Sequence, residues 1–287
     1  MFWVSLVFTI VNFTLMTRFV VALKMLREKG LIDIVSALKE IKLPLYLAWA
    51  DIRQRYRRST LGPFWITIST GVMIACLGII FGTLFKVPSS EFLPYLSVGL
   101  ILWAFVSTTI TEATSVFSTY EAIIKQLPIP LFMHVIRMVA RNFYIFLHNI
   151  VLIPFVLLCV QRPVNWEIFL FIPGIFLVVL NLLWVSLVLG TICARYRDLS
   201  QIVSSCLQIF FYVTPIIWMP SALPARASLM VLAPNPFYHF MEIVRAPLMG
   251  FAPTTFNWAF CIICTITGSL FALIFFNKFR NRIAYWL

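Results

Sequence analysis

Apolar runs of about twenty residues recur along this chain, and they limit its fold more than any other feature. A helix rises about 1.5 Å per residue, so crossing about 30 Å of hydrocarbon takes roughly 20 residues. Six segments meet that length, at roughly 62–85, 93–117, 138–160, 168–192, 200–219 and 256–277. They fill most of the 287 residues and leave no room for a large soluble catalytic domain. Composition agrees: 62% of residues are hydrophobic and 11% charged, where soluble domains run near half and about a quarter. The expected fold is an all-α polytopic membrane protein with six transmembrane helices over residues 61–287.

A net charge of +12 would raise the question of nucleic acid in a soluble protein. Here the placement of the charge matters more, because Lys and Arg beside spans record the side that stayed in the cytoplasm. Twelve fall on one side: Arg53, Arg55, Arg57, Arg58, Lys125, Arg137, Arg141, Arg195, Arg197, Lys278, Arg280 and Arg282. Four fall on the other: Lys86, Arg162, Arg226 and Arg245. The first side is expected to be cytoplasmic, and the partner implied by the charge is membrane lipid, with no nucleic acid.

Residues 1–24 are apolar apart from Arg18 and Lys24, without the basic start or cleavage site of a secretory signal. Three readings compete: an extra span, an uncleaved anchor, or a start assigned upstream of Met25. Residues 25–60 are polar by comparison. Within them, Leu31, Ile34, Val35, Leu38 and Ile41 recur at helical spacing, opposite Asp33, Lys39, Glu40 and Lys42. That pattern predicts an amphipathic interface helix over 31–42, ended by Pro44.

Residues 220–255 lie on the side expected to be outer. They are largely apolar yet interrupted by six prolines: Pro220, Pro224, Pro234, Pro236, Pro247 and Pro253. Each piece is too short to cross, so the segment reads as re-entrant half-helices over an outer mouth, with a proline-rich surface loop as the alternative.

No glycine-rich phosphate loop is present, so the chain does not hydrolyse ATP alone. No close acidic pair or metal-spaced histidine set stands out, which leaves no catalytic residue and no metal ligand to name. Cys261 and Cys264 form a CxxC inside a span with no basic neighbour, and core packing explains it. The strongest cluster is the arginine run. Arg53 and Arg57 share one helical face, and Arg55 and Arg58 share another. Arginine grips phosphate bidentately and stays charged, so the run is either a topology signal or a docking place for a lipid-linked diphosphate. Glu112, inside the second span, either lines a channel or makes a structural hydrogen bond. Residues 118–130 (STYEAIIKQLPIP) and 195–200 (RYRDLS) are cytoplasmic segments suited to touching a partner, or simple connections.

LAWADIRQRYRRSTLGPFW at 47–65, with Leu61 and Gly62 at the turn into the span, closely resembles the permeases of O-antigen and capsular polysaccharide ABC exporters. The resemblance continues through YEAIIKQLPIP, RYRDLSQIV, TPIIWMPSALP and NPFYHFMEIVRAPLMG, over about residues 35–285. It implies a homodimer bound to two ATP-binding-cassette subunits, which would hold the ATP and Mg; this chain would bind no cofactor. It implies a bacterial inner-membrane location with N- and C-terminal segments in the cytoplasm. It implies an undecaprenyl-diphosphate-linked polysaccharide as substrate; the residues' own chemistry makes Arg53, Arg55, Arg57, Arg58 and Glu112 the candidates to bind it. Coupling to the ATPase would fall on Tyr120, Glu121, Ile124, Lys125, Arg197 and Asp198. Pro220, Pro224, Pro234, Pro236 and Arg245 would belong to the gate. Residues 1–24 depart from the family pattern. Two rival readings stand beside this one: an exporter of another lipid or drug, and a membrane-embedded transferase.

Overall fold

The computed structural model describes residues 29–57, 62, 64–163 and 165–287. The competing readings of residues 1–24 lie outside the described residues, as does Arg58. The helices are α1 (Lys29–Lys39), α2 (Lys42–Arg55), α3 (Phe64–Phe85), α4 (Ser89–Ala113), α5 (Val116–Thr119), α6 (Glu121–Gln126), α7 (Leu131–Ile150) and α8 (Leu152–Cys159). They continue with α9 (Phe171–Arg195), α10 (Leu199–Val213), α11 (Ala225–Leu232), α12 (Pro236–Leu248) and α13 (Thr255–Trp286).

Among the described residues, five stretches are long and apolar enough to cross a membrane: Phe64–Phe85, Ser89–Ala113, Leu131–Cys159, Trp166–Arg195 and Thr255–Trp286. The fifth expected span, 200–219, is corrected to a helix of 15 residues, which at 1.5 Å per residue covers only about 22 Å. Proline disfavours the α region in the residue before it. Thr214, which precedes Pro215, is accordingly extended, and 214–219 run on without helix.

Prolines explain two further departures. Pro44 does not end the interface helix; the chain turns at Glu40–Ile41, and Pro44 sits in the first turn of α2. A first-turn proline lacks only an N–H that would have had no partner. Pro154 has no N–H to offer the Ile150 carbonyl, and there the third span divides into α7 and α8.

The hub is α4. Within their apolar stretches 78% of α4 is buried but only 17% of α3. Phe92, Leu96, Ile101 and Leu102 of α4 are almost inaccessible, while Phe64, Trp65, Val72 and Ile79 of α3 face outward. Helices α9 and α13 pack against each other, and Gly268 lets the Trp184 ring lie against the α13 backbone. Trp184 Nε1 donates to Asn181 Oδ1 at 2.9 Å, and Asn181 Nδ2 donates to Thr265 Oγ1 at 2.7 Å. Small residues and side-chain hydrogen bonds are how helices adhere where lipid removes the hydrophobic drive.

The inward face of α1 carries Gly30, Asp33 and Ala37, whereas Val35, Leu38 and Ile41 are exposed. Asp33 therefore points into the protein. The residue before α7 is Pro130, which has no side-chain acceptor for the first free N–H groups of that helix. Asp33 supplies it, accepting from Phe132 N at 3.0 Å and Leu131 N at 3.1 Å. Arg280 of α13 neutralises the same carboxylate, with Nη2 at 2.8 Å. Three segments distant in sequence meet on one side chain.

Candidate functional site

The bundle has two polar ends. At the end rich in Lys and Arg, α2 buries Ala48 and Ile52 and leaves Arg53 exposed, with Arg57 exposed just past the helix end. A cavity of about 890 Å³ opens there, lined by Trp49, Ile52, Arg53, Gln54, Tyr56, Arg57 and Gly62. Trp49 is braced edge-on by the Tyr144 ring at 5.9 Å. Two exposed guanidiniums thus share a groove with apolar side chains. Arg55 is exposed but does not line it.

The opposite face of α2 is locked down. Arg137 Nε donates to Asp51 Oδ2 at 2.8 Å and its Nη2 to the other oxygen, a bidentate grip. Arg141 Nη2 and Asn142 Nδ2 both donate to Glu112 Oε2, at 2.6 and 2.8 Å. Glu112 thus makes structural hydrogen bonds while its side chain stays 26% exposed. The α2–α4–α7 network of Asp51, Glu112, Arg137 and Arg141 was not singled out as a site from sequence. Its trace was there: Arg137 and Arg141 are one turn apart in an apolar helix, where unpaired charge is costly.

The 118–130 stretch forms α5 and α6, joined at Tyr120. The Tyr120 ring stacks on His134 at 4.9 Å and carries the Arg137 guanidinium at 4.5 Å. Burial raises its hydroxyl above the ordinary range, against the pull of Arg137 and Arg141. Glu121 pairs with Lys125 at 2.6 Å. That bond holds the Glu121 carboxyl below its usual range, and the charge of Arg197 adds to it. Glu121, Lys125 and Arg197 thus belong to one surface, with Arg197 and Asp198 exposed and Ile124 packed inward against the Tyr120 cluster. Arg137 joins this surface to α2, since it touches both Tyr120 and Asp51.

At the far end, Asn235 caps α12 by accepting from Phe237 N at 3.0 Å, and Pro236 opens the helix. Pro220 begins a short 3-10 turn, Pro224 precedes α11 and Pro234 follows it. Arg245 is 1% exposed. Its Nη1 donates to Pro215 O at 2.6 Å, beside the Tyr95 hydroxyl at 2.8 Å, and its Nη2 reaches Glu242 at 3.0 Å. Arg245 and Tyr95 thus clamp the carbonyl where the backbone leaves α10. Cys261 is buried in α13, and His239 is held between Asn257 Oδ1 and Ala233 O at 2.8 and 2.9 Å.

Residues 45–249 match the model of the ABC-2 type transporter family. The chain is 25% identical over 206 residues to an O-antigen export system permease protein RfbA of Myxococcus xanthus, covering 71% of this chain and 79% of the relative. It is 25% identical over 239 residues to a protein of the same name from Klebsiella pneumoniae, covering 82% and 90%. The match spans the groove, the contact surface and the clamped break, and this chain belongs to the ABC-2 type transporter family.

Proposed function

We propose that this chain is the membrane-channel subunit of an ATP-driven exporter that moves an undecaprenyl-diphosphate-linked polysaccharide from cytoplasm to periplasm across a bacterial inner membrane. The observation that carries the reading is the groove on α2. Arg53 and Arg57 offer fixed positive charge for a diphosphate, while the exposed Trp49 ring offers apolar surface for the lipid beside it. The polysaccharide comes from the relatives, which are named as O-antigen export permeases.

Two copies would share one channel. On α10, Gln201, Ser205, Gln208 and Tyr212 form a stripe that this subunit leaves exposed. An amide without a partner in hydrocarbon costs several kcal/mol, so a wet path shared with a second copy is the place for that stripe. The 15-residue α10 with its non-helical extension then makes the sixth crossing, and α11 and α12 serve as re-entrant gate helices. Two ATPase subunits, holding ATP and Mg, would press on the surface of Glu121, Lys125 and Arg197. Arg137 would carry that push toward α2.

The test is Arg53→Gln together with Arg57→Gln, with export scored as glycan displayed outside the cell at equal protein level. Losing charged hydrogen bonds worth about 1.5–3 kcal/mol each lowers export by well over tenfold. Export at the unsubstituted rate refutes the docking role.

A further inference from the structure

A second cavity, of about 400 Å³, lies at the far end beneath α12. Its chemistry differs from that of the groove on α2. The walls carry two carboxylates (Glu91, Glu242), two guanidiniums (Arg162, Arg245) and the rings of Tyr95 and Tyr238. The walls are built rather than incidental. Arg245 lies 4.1 Å over the Tyr95 ring and is tied to Pro215 O and Glu242. Arg162 Nη2 donates to Met249 O at 2.9 Å, with its guanidinium 5.8 Å from the Phe251 ring. By contrast, Glu91, in the first turn of α4, makes no ion pair among the described residues.

Glu242 is already paired with Arg245, and the remaining Glu91 and Arg162 are of opposite sign, so a simple ion of either sign would meet a like charge and is disfavoured. A polyhydroxylated ring fits. Its hydroxyls accept from guanidinium and donate to carboxylate in one molecule, and its C–H faces lie on aromatic rings. The volume is at the small end of the range of about 300–1,000 Å³ for ligand pockets. That is room for a single ring with its waters and too little for a run of chain.

We propose that this cavity binds one pyranose residue. The exporter reading supplies only the source of that sugar, a residue of the emerging glycan held beside the outer gate. Whether the cavity takes a sugar is a property of the purified chain and is measured without any transport.

The experiment is saturation-transfer NMR on the full chain in lipid nanodiscs. The probes are methyl pyranosides of glucose, galactose, mannose, rhamnose and N-acetylglucosamine. Three variants leave the Arg245 clamp untouched. Glu91→Gln removes a charge from the wall, Tyr238→Phe removes only a hydroxyl, and Ala252→Trp fills the cavity from its exposed loop. Saturation transfer is expected for at least one glycoside, with binding weakened about tenfold by Glu91→Gln, reduced by Tyr238→Phe and abolished by Ala252→Trp. Transfer from none of the five, transfer indifferent to Glu91→Gln and Ala252→Trp, or displacement by inorganic phosphate overturns the proposal. Glycan export by a chain that binds no glycoside overturns this site and leaves the exporter reading intact. Glycoside binding by a chain that exports nothing upholds the site and sinks the exporter reading.

Discussion

Asp51→Ala isolates the joint between the groove and the surface of Glu121, Lys125 and Arg197. The substitution removes both acceptors of the Arg137 guanidinium and leaves that charge among α2, α4 and α7. Breaking a fully buried pair costs about 3–5 kcal/mol. Here the side chains are 18% and 14% exposed, and water takes over part of the lost interaction, which lowers the cost to about 2–3 kcal/mol. The Tyr120 ring remains as a weaker partner for Arg137. A change of 1 kcal/mol moves the melting temperature by about 2–4 °C for chains somewhat shorter than this one. Asp51→Ala should therefore melt about 4–12 °C lower, read as the folded fraction surviving heating in detergent by fluorescence-detected size exclusion. The double variant with Arg137→Ala should be less damaged than the sum of the singles by at least about 1 kcal/mol, because it leaves no orphaned charge. Asp51→Ala within about 1 °C of the parent, or additive losses in the double variant, refutes the joint.

Asp33→Ala frees two backbone N–H groups of α7 and the Arg280 side chain together, for a loss of about 2–4 kcal/mol in the same assay. Gly268→Ala puts a methyl group into the Trp184 ring, and overpacking of about 1–3 kcal/mol outweighs the gain in helix propensity. A melting temperature at or above the parent's would refute that close approach. Gln208→Cys, in a chain whose native cysteines are replaced by serine, should cross-link two copies under mild oxidation in membranes. A monomer band alone counts against the stripe on α10 facing a second copy.

The apolar runs were legible in sequence because length and hydropathy are local quantities. Boundaries failed where local polarity had a distant cause. The third span, placed at 138–160, begins at Leu131, because Arg137 and Arg141 are neutralised by Asp51 and Glu112 from other helices. The second, placed at 93–117, begins at Ser89, where Ser89, Ser90 and Glu91 form a favourable polar first turn that hydropathy treats as loop. The fifth was drawn too long because Ile216, Ile217 and Trp218 are apolar, although Pro215 already carried the signal that ends the helix. The site divides in the same way. Arg53 and Arg57 line one groove, although the helix that their four-residue spacing suggested ends at Arg55. The partners of Asp33 and Asp51, and the Pro215 carbonyl held by Arg245, lie 30 to 247 residues away, and no spacing rule reaches them.

The channel-subunit reading is tested most directly by purifying the tagged chain from its native membrane and identifying what accompanies it. An ATPase bearing a phosphate loop, in equal amount, is the expected result. The chain recovered alone, in detergents that keep its dimers together, contradicts the reading.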